Sequence, residues 1–491
     1  MKTISTESIR TNENAQPGHA LMAEKRDGET GSSRRQMTGF VVAVVAIVVA
    51  VVFPPVEGLT PQAQRLAGLF VAAMALWFSE AMPIGVTALL VVAAQPLLKI
   101  ASMPAAGAGF MSPVIFFVLA MFLIAAVIHG SGLDRRFATW LLTRAGTDSR
   151  RVSFAFIAGT AVLSMIVSDV PVCAIWAALA LAMLHRMKAL PGASNFGRVL
   201  MIGIPIGAFI GGVGTPAGSS VNLLGLQLLK QYSGLEIGFL HWMAVGIPLV
   251  LVLTPVAWWV LVKIYPPEID HVPAAETECR RVAWAAAERK VVGLLAAMMT
   301  LWVASTWWPR HLDATMIAVL GSIAMFAPGM RLLTWERGVR AVSWEALFMI
   351  GGITSLGVAC RDTGLAQWFV SNTLGGLTGW NLVAIIATVS LVTVLIHLVV
   401  PILPAVVAIL VPPIVLLAQQ SGESPALYTL PVIFTASCGF LLPLDAVALI
   451  TYGSRYYKMT DMLLPGAIIS AGWVILMTTL MMVLAPMLGF W

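Results

Sequence analysis

Three stretches of this chain, Thr38–Val52, Ser112–Ile128 and Trp473–Leu488, contain no Asp, Glu, Lys or Arg. The hydrocarbon core of a bilayer requires about 17–25 mostly apolar residues per crossing. With no water in that core, a spanning segment must satisfy its own backbone hydrogen bonds, so helices are expected. A soluble reading would bury a dozen helices that are apolar all round. Only 11% of the residues are charged and 59% are hydrophobic, against about one quarter charged in an ordinary globular chain. The fold class expected is all-α integral membrane.

The spacing of apolar runs predicts about 11 transmembrane helices, over 38–55, 64–82, 84–101, 111–130, 198–230, 238–262, 288–306, 312–330, 343–360, 426–452 and 461–489. Two further apolar stretches, 152–186 and 381–419, are expected to be re-entrant hairpins. Residues 1–36 are rich in Glu, Asn, Ser and Gly; they read as a disordered tail with no cleavable leader. Cys173, Cys279, Cys360 and Cys438 lack metal-type spacing and read as small buried hydrophobes. No zinc motif, nucleophile elbow or nucleotide loop is present, so an enzyme is not expected. The net charge of +6 is a matter of membrane orientation, and no nucleic-acid partner is expected.

With the amino terminus placed in the cytoplasm, 24 of the 29 Lys and Arg residues fall inside. Arg65, Lys99, Lys230, Arg310 and Arg361 are left outside. This positive-inside bias requires 152–186 to enter and leave from the cytoplasm and 381–419 from the opposite side. The carboxyl terminus then lies outside, in a multi-pass protein of the cell (inner) membrane. The 263–287 segment is a cytoplasmic loop, and 37–111 and 288–342 are scaffold helices.

A repeated pattern runs through 112–262 and 343–491. Ser112-Pro113-Val114-Ile115-Phe116-Phe117 leads through Gly130-Ser131-Gly132-Leu133 to Trp140. Ser343-Trp344-Glu345-Ala346-Leu347-Phe348 leads through Asp362-Thr363-Gly364-Leu365 to Trp368. A hairpin follows in each, and then a long helix interrupted near its middle. The interruptions are Gly211-Gly212-Val213-Gly214-Thr215-Pro216-Ala217-Gly218-Ser219-Ser220-Val221-Asn222 and Phe440-Leu441-Leu442-Pro443-Leu444-Asp445-Ala446-Val447. Two inverted-topology repeats are expected. Paired interrupted helices point to a binding site at the bilayer midplane, where freed carbonyls hold a cation and helix amino termini favour an anion.

On these residues the chain resembles the divalent anion/sodium symporter family. The similarity runs from about residue 60 to the end. It is strongest at Val162-Leu163-Ser164-Met165-Ile166-Val167-Ser168-Asp169-Val170, at Gly211–Leu223, and at Ala436-Ser437-Cys438-Gly439-Phe440-Leu441-Leu442-Pro443 continuing through Tyr452-Gly453-Ser454 and Lys458–Met462. The resemblance implies a homodimer whose transport domain, carrying both hairpin tips, moves as an elevator past a scaffold. The implied cargo is a small dianion such as a C4-dicarboxylate, citrate or sulfate.

Two departures from the family pattern matter. Family tips read Ser-Asn-Thr, whereas the first tip here is Ser168-Asp169-Val170 with Ser164 upstream. The resemblance places a sodium on Ser164, Ser168, Asp169 and the backbone at Gly218, a set of oxygens suited to a hard cation. The second tip aligns at Ile402-Leu403-Pro404, with Leu398 where a hydroxyl should stand, so the family's second sodium site is expected to be lost. Ser371-Asn372-Thr373 lies outside the hairpin and reads as coincidence.

Asp169 and Asp445 are the candidate coupling carboxylates, because a membrane-buried carboxylate takes up a proton or a cation. The candidate anion contacts are Ser168, Asp169, Val170, Thr215, Ser219, Ser220, Asn222, His397, Leu403, Pro404, Ala446 and Val447. Sodium, proton and anion-exchange coupling all stay open, and no other cofactor is expected. An ion antiporter using Asp169 and Asp445 is the alternative.

Overall fold

The computed structural model describes residues 17–273, 284–308, 313–374, 376, 379–400 and 402–489. Helices α1 (Pro17–Val52), α2 (Pro61–Ser79), α3 (Ile84–Leu97) and the short α4 (Met103–Gly107) lead into α5 (Pro113–Ser131) and α6 (Leu133–Ala145). Next come α7 (Ser149–Ser164), α8 (Asp169–Arg186), α9 (Asn195–Gly212), α10 (Ser220–Ser233) and α11 (Phe239–Ile264). The second part runs through α12 (Ala286–Ala304), α13 (Ala314–Ala324), α14 (Trp335–Ala341), α15 (Trp344–Asp362) and α16 (Leu365–Phe369). It closes with α17 (Leu382–Ile396), α18 (Leu403–Gln420), α19 (Pro425–Thr435), α20 (Ala446–Tyr452) and α21 (Leu463–Met487). Among the described residues the only β-type pairing is an isolated bridge between Asp148 and His271.

Among the described residues seven helices are long and apolar enough to cross a membrane, or eight if α14 and α15, bent by 60°, form one span. The expected eleven spans therefore do not all appear as single long helices. The shortfall has a physical cause. The run 426–452 splits into two shorter helices, α3 and α13 have 14 and 11 residues, about 21 and 16 Å at 1.5 Å per residue, and two of the seven, α8 and α18, lie inside the expected hairpins. The amino-terminal tail also differs from expectation, since α1 reaches back to Pro17. Its polar turns contain good helix formers such as Ala, Glu, Lys and Arg. Residues 1–16 of that tail and part of the 263–287 loop, including Cys279, lie outside the described residues.

The two halves use the same punctuation. Gly132 and Gly364 take left-handed conformations, with φ of 77° and 78°. In both places the turn precedes a leucine that begins an amphipathic helix, α6 or α16. Asp148 caps α7 by accepting from the Arg151 N–H at 2.8 Å, and Asn381 caps α17 by accepting from Ala384 at 2.7 Å. Helices α7 and α8 are joined by residues 165–168, and α17 and α18 by 397–402, where the two hairpins were expected.

Gly203, Gly207 and Gly211 make one face of α9, and a Cβ on any of them would collide with Ile157 or Ala161 of α7. Small residues at four-residue spacing let two membrane helices approach backbone to backbone. The breaks after α9 and α19 are covered alike. Gly246 of α11 abuts the carbonyls of Val213 and Gly214, and Gly466 of α21 abuts the carbonyl of Phe440. The Trp242 indole N–H donates to the Val213 carbonyl at 2.8 Å, and that of Trp473 donates to the Thr435 hydroxyl at 3.1 Å. Trp242 also stacks on Phe434 with ring centroids 4.0 Å apart, joining α11 to α19.

A strap, residues 265–272, crosses one end of this bundle. The Ser149 N–H donates to the Asp270 carbonyl and the Val272 N–H to that of Thr147. Glu268 accepts from the Ser194 hydroxyl and the Phe196 N–H, and the Tyr265 hydroxyl donates to the Asp461 carbonyl. The starts of α7, α9 and α21 are thereby tied together on one face.

Candidate ion and anion site at the helix breaks

The first break, between α9 and α10, receives the tip between α7 and α8. Asp169 opens α8 and is only 5% exposed. The Ser164 hydroxyl lies 2.8 Å from Asp169 Oδ1 and 2.9 Å from the Ala208 carbonyl oxygen. With one hydrogen it donates to one of them at a time. Ser219 is a second hydroxyl beside the carboxylate, and Asp445 lies within its electrostatic reach. No Lys, Arg or His pairs with Asp169 among the described residues.

Two glycines make this approach possible. A Cβ on Gly212 would strike the Asp169 carboxylate. One on Gly218 would sit 2.5 Å from the Gly212 carbonyl oxygen and 2.7 Å from that of Ser164. Two carbonyls thus meet at Gly218, while the Asp169 carboxylate, with the Ser164 hydroxyl on it, lies against the neighbouring Gly212. Four oxygens with a net negative charge and no basic partner suit a hard monovalent or divalent cation, or a proton on Asp169. Ser164, Asp169 and Gly218, expected together, are brought together. Ser168 caps α8 without a side-chain cap bond and is half-buried.

Several residues assigned to the anion have their donors engaged elsewhere. The Thr215 hydroxyl donates to the Met165 carbonyl at 2.6 Å. The Asn222 amide donates to the carbonyls of Gly212 and Thr215, at 2.8 and 3.1 Å, while its Oδ1 is buried without a partner. Both ring nitrogens of His397 face carbonyl oxygens, Thr393 at 2.6 Å and Ala436 at 2.9 Å. Thr215 fastens the first tip to its break, Asn222 staples that break to itself, and His397 joins the second tip to the end of α19. Of the hydroxyls assigned to the anion, Ser168 and Ser220 are half-buried, and Val170 and Ala446 are exposed.

At the second break Asp445 caps α20, accepting from the Val447 N–H at 2.9 Å. His397, Leu398, Gly439, Leu441, Leu442, Leu444 and Asp445 line a cavity of about 10 Å³, room for roughly one water or one bare ion. Ile402 caps α18, so Ile402-Leu403-Pro404 occupies the same helix-start positions as Ser168-Asp169-Val170. Leu403 is buried and Pro404 half-buried; neither carries a side-chain oxygen. Ser371-Asn372-Thr373 falls in a short π-helical turn, Val370–Leu374, outside the hairpin.

The contact between the two breaks was not anticipated. The Cys173 thiol of α8 donates to the Val447 carbonyl at 3.3 Å, which places the first tip's helix against α20. Nor was Trp242 singled out, although its indole covers the end of α9. Both contacts join residues far apart in sequence, and neither leaves a local pattern to read.

The family model described as the sodium:sulfate symporter transmembrane region matches residues 34–491. A "Membrane protein" of Cupriavidus necator is 26% identical over 436 residues, covering 83% of this chain and 84% of that protein. The "Sodium-dependent dicarboxylate transporter SdcS" of Staphylococcus aureus is 25% identical over 424 residues, covering 78% and 79%. Among solved structures, the YdaH transporter of Alcanivorax borkumensis has a TM-score of 0.54 at 14% identity, covering 76% of this chain and 86% of that one. MtrF of Neisseria gonorrhoeae has a TM-score of 0.53 at 12% identity, covering 91% and 94%. At such identities these two structures speak for the fold alone. The family match over nearly the whole chain, on a helical frame built around paired interrupted helices, makes this a multi-pass membrane transporter of the sodium:sulfate symporter family.

Proposed function

We propose that this transporter carries a small dianion, of the C4-dicarboxylate kind, coupled to a cation bound at the first helix break. The observation that carries the reading is the oxygen-rich pair of glycines: Asp169 with the Ser164 hydroxyl against Gly212, and the Gly212 and Ser164 carbonyls against Gly218. An unpaired carboxylate in that position repels an anion until sodium or a proton neutralises it. Cation binding therefore precedes anion binding, and the dianion then meets Ser168, Ser220 and the start of α8, whose dipole favours negative charge.

The like treatment of the two breaks, with a glycine and a tryptophan covering each, supports two inverted repeats and two re-entrant hairpins, 152–186 and 381–419. On this reading the hairpins and breaks form the moving domain of an elevator. Residues 37–111 and 288–342 form its scaffold in a homodimer of the inner membrane. The amino terminus is cytoplasmic and the carboxyl terminus outside. The second tip offers no side-chain oxygen at Leu398, Leu403 or Pro404, so one cation site is assigned, with Asp445 as a second, protonatable carboxylate. SdcS, a sodium-dependent dicarboxylate transporter by name, makes sodium and a dicarboxylate the first pair to test.

The experiment is uptake of labelled succinate into proteoliposomes under an imposed sodium gradient, a proton gradient, or internal anion. Accumulation under sodium is expected, with Asp169→Asn raising the sodium requirement at least tenfold. A sulfate or citrate panel under the same gradients defines the cargo if succinate is not carried. The presence of a second carboxylate, Asp445, within electrostatic reach of Asp169 also fits an ion antiporter. Sodium–proton exchange without any anion, abolished by either Asp→Asn change, would establish that reading and overturn the anion carrier.

A further inference from the structure

We propose that the cavity between the ends of α5 and α12 and the turn after α13 binds the phosphate group of an anionic phospholipid. The cavity measures about 280 Å³, just under the roughly 300–1,000 Å³ usual for small-molecule pockets. That volume suits a headgroup with its glycerol and not a whole lipid. Lys290, Arg331 and Ser131 supply its polar lining, and Val127, Val291 and Leu332 its apolar lining.

Its depth is fixed by helix ends. Ser131 is the last residue of α5, Lys290 lies in the second turn of α12, and Arg331 follows the end of α13. Exposed Trp284 and Trp335 stand just before α12 and at the start of α14, residues that favour the membrane–water boundary. A polar cavity at that level, with apolar walls beside it, faces lipid headgroups.

The charge at this site is uncompensated. The Lys290 ammonium donates to the carbonyls of Gly329 and Met330, which holds it over the turn and leaves a third hydrogen free to donate. Among the described residues neither Lys290 nor Arg331 has an ion pair, while the neighbouring acids are taken: Asp134 by His129 and Glu288 by Arg136. The Ser131 hydroxyl is spent on the Ile128 carbonyl at 2.8 Å, so recognition falls to the two unpaired cations around the cavity, the chemistry that binds a phosphate. The same chemistry admits phosphate from solution, so the source is tested as well as the site. The inference depends on membrane embedding alone and not on the cargo.

The test is thermal unfolding of the purified, delipidated chain titrated with phosphatidylglycerol, phosphatidylcholine or inorganic phosphate. Phosphatidylglycerol is expected to raise the midpoint more than phosphatidylcholine. Lys290→Gln with Arg331→Gln should weaken the affinity about thirtyfold, two surface cations contributing roughly that much, while Lys290→Arg with Arg331→Lys keeps it. Arg337→Gln with Arg340→Gln removes equal charge from exposed α14 and should leave it intact. An equal effect of inorganic phosphate with the same variant dependence keeps the site and assigns it to a soluble anion. Equal stabilisation by both lipids, or an equal loss in the Arg337/Arg340 variant, overturns the proposal. If the Lys290/Arg331 variant is unstable without lipid, the decision passes to native mass spectrometry of the charge-keeping variant. Retained phosphatidylglycerol supports the site, and its absence refutes it.

Discussion

Gly207→Ala perturbs a close backbone approach between the first hairpin and the interrupted helix. A Cβ there would lie 2.6 Å from the Ile157 carbonyl oxygen and 3.3 Å from its carbon, whereas ordinary contact begins at 3.4 Å. The two backbones must part by about 0.8 Å, and no rotamer change absorbs a clash with backbone in a close-packed interior. The adjacent bond from the Ser164 hydroxyl to the Ala208 carbonyl, now 2.9 Å, would stretch to about 3.7 Å, beyond hydrogen-bond range. Overpacking costs about 1–3 kcal/mol and the lost bond about 1 kcal/mol. Alanine's better helix propensity returns at most about 1 kcal/mol. The expected net loss is about 1–3 kcal/mol, a fall of several degrees in the thermal midpoint. Gly293→Ala in α12 is the matched comparison, because nothing lies within 4 Å of its Cβ position. That variant should melt at or slightly above the parent temperature. Both are read by thermal unfolding in detergent and by initial uptake in proteoliposomes, where only Gly207→Ala should slow transport. If the two variants melt within a degree of each other and carry cargo equally, tight packing of α7 on α9 is not what positions the tip.

Two further outcomes are expected. Asn222→Leu leaves the Gly212 and Thr215 carbonyls without their amide donor, which should cost about 2–4 kcal/mol and impair uptake; an unchanged melting curve would remove Asn222 as the staple of the break. Burial raises the Glu268 carboxyl, but bonds from the Ser194 hydroxyl and nearby backbone N–H groups outweigh it and leave the group below its ordinary value. A depressed value contributes stability above the unfolded carboxylate range, near 4.3, and loses it as pH falls through the folded value. Glu268→Gln should therefore lower the midpoint at neutral pH and converge with the parent in acid. A gap that stays constant down to pH 3 would contradict this reading of the strap.

Local chemistry accounts for much of what could be read in advance. Gly132-Leu133 and Gly364-Leu365 announce left-handed turns because only glycine enters that conformation without strain. The clusters Gly211–Gly218 and Phe440–Asp445 announce broken helices because helix hydrogen bonding fails at such residues. Charge-free runs announced membrane helices because a bilayer tolerates nothing else. Those are properties of short windows, whereas Ser164, Asp169, Gly218 and Asp445 are singled out by the resemblance to the symporter family. The direction in which a side chain spends its hydrogens is not such a property. Thr215, Asn222 and His397 read as anion donors, yet each turns its donors to a carbonyl, two of them on segments 39 and 50 residues away. Likewise, the meeting of α8 with α20 through Cys173 and Val447 spans 274 residues. The amino-acid sequence by itself determined the membrane setting, the two interrupted helices and the residue types at their centres. Only the tertiary structure decided which oxygens share one site, because a hydrogen bond depends on separations of a few ångströms that distant packing alone sets.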